Sequence, residues 1–302
     1  MEGRGISRID YRRIKNSGLR IAMLHTFFFS PSDTTRKYAK AMTDAFGGDS
    51  QLIDLTHGSC EVEYDLVDGD TALLISPVYA GRIPAMAADL FRQIDGHGMK
   101  AIVVVVYGNR DYDDALLELA DIAVEDGFEI MAAGAFIAQH CIFPKVANGR
   151  PDASDIAVAI DFIKGAKESG KMEISTIKGN RPYKKPGAVP LRPRTDKSEC
   201  RTCGVCAREC PTGAIDPVTL ATDESKCMTC CRCIAVCGSN ARKFKGIMYA
   251  TVGKIFCAQN SKRREPELFL RQRNLFACAT CLRNSQDKIL SETKILKGTS
   301  LL

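Results

Sequence analysis

The chain reads Cys200-Arg-Thr-Cys203-Gly-Val-Cys206-Ala-Arg-Glu-Cys210-Pro211 and then Cys227-Met-Thr-Cys230-Cys-Arg-Cys233-Ile-Ala-Val-Cys237-Gly238. Both stretches keep the rhythm Cys-x2-Cys-x2-Cys-x3-Cys, and every cysteine of the first lies 27 positions before its counterpart in the second. A fixed offset of this kind is an internal duplication. Short Cys-x2-Cys steps wrap a tight loop around a cubane and leave backbone amides free to hydrogen-bond its sulfides. In the bacterial-type pattern three thiolates of one run hold a cluster and the fourth crosses to the other cluster. The spacing therefore predicts two [4Fe–4S] sites, one on Cys200, Cys203, Cys206 and Cys237, the other on Cys227, Cys230, Cys233 and Cys210. Pro211 turns the chain away after Cys210. The rival reading is zinc, but zinc ribbons use two separated pairs and not two quartets of matching rhythm. Disulfides need an oxidising compartment, for which nothing in the sequence argues.

At 302 residues and 45% hydrophobic composition the chain has room for two domains, each with its own core. Its charge is divided unevenly. Residues 1–180 carry 19 basic and 26 acidic side chains, a balance of −7, and residues 181–302 carry 23 and 10, a balance of +13. An oxidised cluster with its four thiolates carries about −2, so part of the basic excess offsets the cofactors. The rest reads as a solvated face, or as a docking surface for an acidic redox partner. No recognition motif accompanies the charge, which argues against nucleic acid. The N-terminal stretch is polar and Arg-rich, without the apolar core of a signal peptide, and runs such as Ala101–Tyr107 are too short to span a bilayer. The expectation is a cytoplasmic protein with no membrane segment, in which 14 cysteines point to metal.

Before the cysteines the chain alternates two patterns. Apolar, β-branched segments at Leu19–Phe27, Gln51–Leu55, Thr71–Ser76, Lys100–Tyr107 and Phe128–Ala138 read as strands. Amphipathic segments at Thr35–Phe46, Pro84–Ile94, Tyr112–Glu125 and Asp152–Lys167 read as helices. Val103–Val106 is apolar on both faces, as a covered parallel strand requires. The expected fold is α/β, a doubly wound, flavodoxin-like parallel sheet over residues 1–177. A Pro-rich linker at 178–195 leads to an α+β two-cluster, ferredoxin-like domain at 196–245. Residues 246–302 form a tail in which Ile247–Phe256 and Arg263–Leu270 are expected to be helical and packed on one or both domains.

Ligands of such sheets sit at the carboxyl ends of the strands. Three segments fall there: Ser30-Pro-Ser32-Asp33-Thr34-Thr35, Pro77-Val78-Tyr79-Ala80-Gly81-Arg82, and Tyr107-Gly108-Asn109-Arg110-Asp-Tyr112. Hydroxyls and amides at a helix start suit a phosphate. Tyr79, Tyr107 and Tyr112 are suited to stack on a planar ring, with Gly81 and Gly108 allowing close backbone approach. The bland reading is that Ser, Asp and Thr cap a helix and the tyrosines cover the sheet edge. His140 and Arg150 follow the last strand and read as a structural hydrogen-bonder and a surface cation.

Together these segments resemble the flavodoxin–ferredoxin fusion family of anaerobes. Pro-Val-Tyr-x-Gly-Arg and Tyr-Gly-Asn-Arg match that family, and the phosphate segment is similar to its Ser/Thr-x-Thr-Gly-x-Thr pattern at Ser30, Ser32 and Thr35, with Asp33 in place of the glycine. The resemblance covers most of residues 19–240. It implies FMN in the first domain and electron transfer between flavin and clusters, with a redox partner protein and a flavin-dependent reductase as the enzymatic version. The transfer is expected within one assembly, a homo-oligomer included. Asp33 keeps a rival open: a cluster-bearing regulatory scaffold with an empty flavin site. No catalytic residue can be named, and Cys60, Cys141, Cys231 and Cys257 read as bystanders, with Cys278-x2-Cys281 unassigned.

Overall fold

Residues 22–58, 66–187 and 189–271 are described by a computed structural model. Cys60, Cys278 and Cys281, and the expectations for residues 1–21 and 272–302, lie outside them. The alternation read from the sequence becomes β1 (Leu24–Phe28), α1 (Thr34–Phe46), β2 (Ser50–Asp54), β3 (Thr71–Pro77), α2 (Ala85–Phe91), β4 (Lys100–Tyr107), α3 (Ala115–Glu125), β5 (Glu129–Ile137) and α4 (Ala153–Lys167). The first five strands pair in parallel in the order β2-β1-β3-β4-β5. This is the flavodoxin-like order, with its reversal between β1 and β3.

Side chains alternate across the sheet and build two cores. Phe27, Leu74, Val103 and Val105 face α2 and α3, among Phe91, Leu116 and Leu119. Phe28, Leu73, Ile75, Val104 and Val106 face the other layer, with Tyr38 and Met42 of α1 and Phe162 and Ile163 of α4. Helices therefore cover both faces, which is why the strands lack a polar side.

The second half forms β6 (Arg194–Thr195), α5 (Val205–Arg208), α6 (Arg232–Ala235), β7 (Arg242–Lys243), α7 (Ile247–Gln259) and β8 (Glu267–Leu270). One expectation for the tail changes. Arg263–Leu270 is not helix: its last four residues are β8, which pairs antiparallel with β5 and makes the sheet six-stranded. Phe269 reaches one core and Leu270 the other, as strand alternation demands. The open edge of β5 supplies the partner, and an uncovered edge is costly. The Pro-rich connector is held on both modules. Asn180 and Lys184 donate backbone N–H groups to Asp114 at 2.8 and 2.7 Å, and Arg194–Thr195 pair with β7 as part of the second module.

Arg150, expected at the surface, is only 4% exposed. Its Nε donates to Asp155 at 2.8 Å and its Nη1 to the Arg264 carbonyl at 2.7 Å. Asp155 also closes the capping box of α4 with Asp152, and accepts from Arg263 at 3.1 Å. Removing one partner of a buried pair strands the other's charge, so Asp155→Ala should cost about 3–5 kcal/mol in denaturant unfolding. Arg263→Gln, at the exposed side of the same cluster, should cost less than about 1 kcal/mol. Equal losses would contradict the assignment of Arg150–Asp155 as the buried member.

Candidate functional site

The duplication is visible in the backbone. Left-handed residues recur at the 27-residue offset: Thr202 and Thr229, Gly204 and Cys231, Gly213 and Asn240. Gly204 and Cys231 are the N-caps of α5 and α6, at φ 70° and 64°. Glycine adopts that conformation freely, whereas the cysteine is held there at a steric cost.

Around these turns lie two small cavities. Cys200, Cys203, Cys206 and Cys237 line the first. Cys210, Cys227, Cys230 and Cys233 line the second. Among the described residues no three His, Cys, Asp or Glu side chains converge tightly enough for a single ion. Amides are directed at the sulfurs: Thr202 N–H donates to Cys200 Sγ at 3.4 Å and Ala214 N–H to Cys210 Sγ at 3.3 Å. Burial pushes the Cys230 thiol up to about 12. A thiol in that position becomes a thiolate only with a compensating cation, which a coordinating metal supplies. Arg242, buried between the cavities, leaves its Nε–H without a partner. The four evenly spaced cysteines at each cavity, with Cys231 also lining the second, the amide donors and an orphaned cationic donor fit an anionic iron–sulfur group.

At the sheet's carboxyl edge the loop between β1 and α1 is tightly folded. Ser30 is buried; its Oγ accepts from Arg36 N–H at 2.8 Å and its carbonyl from Asp33 N–H at 3.2 Å. Thr35 is buried below it, and the Ser32 and Thr34 hydroxyls are 3.3 Å apart. Asp33 has φ 61°, which explains a glycine in the family pattern at this place, and its side chain does not cap the helix. One carboxylate oxygen accepts from Arg36 at 3.1 Å; the other accepts from Arg232 Nη1, in the second module, at 3.2 Å.

The ring-side segments are more committed than sequence reading suggests. Pro77 and Val78 continue β3 into a turn in which Ala80 and Gly81 both have positive φ, and Tyr79 and Arg82 exchange backbone hydrogen bonds at 2.8 and 3.2 Å. Arg82 grips Glu118 through two bonds of 2.6 Å and lies 4.6 Å over the Tyr183 ring, so it braces the connector. Tyr112 is fully enclosed, with its hydroxyl on Glu267 at 2.6 Å, and offers no ring face to a ligand. Tyr107 packs edge-on against it, and burial pushes its phenol up to about 12. Asn109 donates to the Asn260 and Lys262 carbonyls at 2.9 Å each, while Arg110 pairs with Asp113. Gly81 and Gly108 are required by protein neighbours, since a Cβ there would meet Asp113 at 2.2 Å and His140 at 2.6 Å.

Tyr79 faces the second module. Its hydroxyl is buried without a partner, and burial, then the Cys230, Cys141 and Cys231 sulfurs, push the phenol well above its usual range. Cys141, after β5, packs in one apolar cluster with Cys231, Phe143, Tyr249 and Phe256. On the rim Arg232 joins Asp33 to Glu209, which lies 3.5 Å from His57. The second-quartet cavity therefore abuts the edge that carries Ser30–Thr35 and Pro77–Arg82. Neither Arg232 nor the Cys141–Cys231 contact was legible in the sequence, because each side chain reads as ordinary within its own module.

The strand order decides the first half and the cysteine unit the second. The chain joins a flavodoxin-like module to a 4Fe–4S binding domain. Residues 193–216 match the 4Fe-4S binding domain family. No curated protein matches the chain. Similar solved structures include a flavodoxin from the domain Archaea, at 14% identity over 48% of this chain and 96% of that one, with a TM-score of 0.36. A flavodoxin of Streptococcus pneumonia TIGR4 gives 18% identity, 47% and 96% coverage and a TM-score of 0.36. Rubredoxin oxygen:oxidoreductase from the anaerobe Desulfovibrio gigas gives 14% identity, 48% of this chain, 35% of that one and 0.36. The chain thus spans about a third of that last protein.

His140 lies under this edge. Its Nδ1 accepts from Ile142 and Phe143 N–H at 3.2 and 3.1 Å, which places the neutral ring's proton on Nε2. Burial, and then the Arg110 charge, lower its pKa to about 4 from an ordinary 6.5. The unfolded chain binds this proton first, so the stability given by neutral His140 is complete above pH about 6.5 and is lost as pH falls toward 4. Denaturant unfolding should show that decline, and His140→Phe should flatten it. An unchanged pH slope in the variant would sink the assignment.

Proposed function

We propose that the protein transfers electrons between two [4Fe–4S] clusters and FMN, in the cytoplasm and in exchange with a soluble redox partner protein, with no role for nucleic acid or membrane. The observation that carries this reading is the contact of the second-quartet cavity with the sheet's carboxyl edge through its lining residue Arg232, which pairs with Asp33 at 3.2 Å. Bound clusters exchange single electrons and a flavin takes or gives them one or two at a time. The chain's own part is to hold and orient. The eight cysteines divide between two cavities, and the first turn of α1 with Ser30, Ser32 and Thr35 supplies hydroxyls and amides for a phosphate. Arg36 and Arg232 supply positive charge on either side of Asp33. Of the two quartets, Cys227, Cys230, Cys233 and Cys210 is the one near the flavin edge; Cys200, Cys203, Cys206 and Cys237 face the partner in this reading.

A second reading is favoured by Asp33, whose carboxylate stands in the phosphate turn, and by the commitment of Tyr112 and Asn109 to the protein's own segments. It makes the protein a cluster-bearing scaffold with an empty flavin site.

Anaerobic purification should give on the order of eight irons per chain with the broad visible absorption of clusters. Zinc in place of iron would overturn the cluster reading. Cys210→Ser should damage the second cluster more than the first. Titration followed by fluorescence should show FMN binding more tightly than FAD, and Asp33→Gly should strengthen FMN binding several-fold by removing a like charge. Clusters without measurable FMN affinity in both proteins would favour the scaffold.

A further inference from the structure

Arg242 is the one residue shared by the linings of both cysteine cavities. It is 2% exposed. Nη1 donates to Thr195 Oγ1 at 2.7 Å and to the Leu220 carbonyl at 3.1 Å. Nη2 donates to Thr222 Oγ1 at 2.7 Å, to the Pro193 carbonyl at 3.2 Å and to Cys233 Sγ at 3.7 Å. Its Nε–H has no partner. Every oxygen in this set is neutral: among the described residues no carboxylate pairs with Arg242. Among the described residues the other buried arginine, Arg150, is compensated by Asp155, and the half-buried Arg82 by Glu118. A guanidinium taken out of water without a counter-charge is strongly unfavourable. The negative charge has to come from the two sets of thiolates and what they hold.

The duplication sharpens the point. The position 27 residues before Arg242 is Ile215, also buried. Two equivalent halves would carry two equivalent residues there, so this cation has no mirror image. Its guanidinium also treats the two cavities unequally: it hydrogen-bonds Cys233 of the second quartet, whereas Cys237 of the first receives only the Arg242 backbone N–H.

We propose that Arg242 is a counter-charge shared by both clusters, required to hold them and setting both reduction potentials, with its stronger effect on the cluster bound by Cys233. The proposal rests on the two-cluster reading above. A reduced cluster carries one more negative charge than an oxidised one, so a fixed cation beside it favours reduction. Loss of the cation makes reduction harder.

The test begins with wild-type protein, purified anaerobically, by iron analysis and a redox titration followed by electron paramagnetic resonance. Absence of iron there would defeat the cluster reading by itself, before any variant is made. With clusters present, Arg242→Met should move both midpoint potentials to more negative values. The larger shift should fall on the signal that Cys210→Ser removes. Arg242→Lys keeps the charge and should keep iron content and potentials close to wild type. Iron lost in Arg242→Met but retained in Arg242→Lys would support the proposal, since only the charge separates them. Unchanged or more positive potentials in fully loaded Arg242→Met would overturn it. Loss of iron in both variants would also overturn it, by making the planar fork and not the charge the requirement.

Discussion

In a parallel sheet every strand runs out on the same side, so the backbone groups and loops that follow β1, β3, β4 and β5 must all find partners at one edge. That constraint organises this molecule. Ser30 folds the first loop onto the first turn of α1, Tyr79 and Arg82 close the second on itself, and Asn109 takes its partners from residues 260–264. His140 receives the amides of the loop after β5. The second module and the chain after it arrive at this same edge, where Phe143, Tyr249 and Phe256 stack into one aromatic cluster. The proposed ligand site and a protein contact thus share one rim of the sheet, which brings the second cysteine cavity next to the flavodoxin-like loops.

Within the cysteine module the duplication ties its halves together. Each cavity takes three of its evenly spaced cysteines from one run and the fourth from the other, and the short pair β6–β7 joins the start of the unit to its end. The basic excess of the second half is accordingly not all surface. Arg242 is interior, Arg232 is clamped between Asp33 and Glu209, and Arg232 holds Glu209 below the usual carboxylate range. Charge counting along the chain cannot separate such residues from solvated lysines, because burial and pairing are properties of the folded neighbourhood.

The elements that periodicity could identify were the ones whose partners lie nearby in sequence or on every side. The Val103–Val106 run marks a covered strand wherever it sits, and the cysteine spacing marks its chemistry because the ligands must wrap one small object. Asp33 was visible as a departure from the phosphate pattern, and its left-handed φ accounts for the glycine it replaces. Its partner was not visible: Arg232 lies 199 positions away. The same distance effect hid β8, whose strand state depends on the free edge of β5, and it hid the Arg150 bond to the Arg264 carbonyl, 114 positions away.

By itself, then, the sequence determined the alternating α/β half, the duplicated cysteine unit and the chemistry that eight thiolates at that spacing can support. Those follow from local repeat lengths, which any fold of the chain must respect. Only the tertiary structure decided which quartet meets the sheet edge, which arginines are interior, and that the chain's return adds a sixth strand. These depend on which surfaces meet once the polar backbone at the carboxyl edge has been answered, and no periodicity along one segment encodes that meeting.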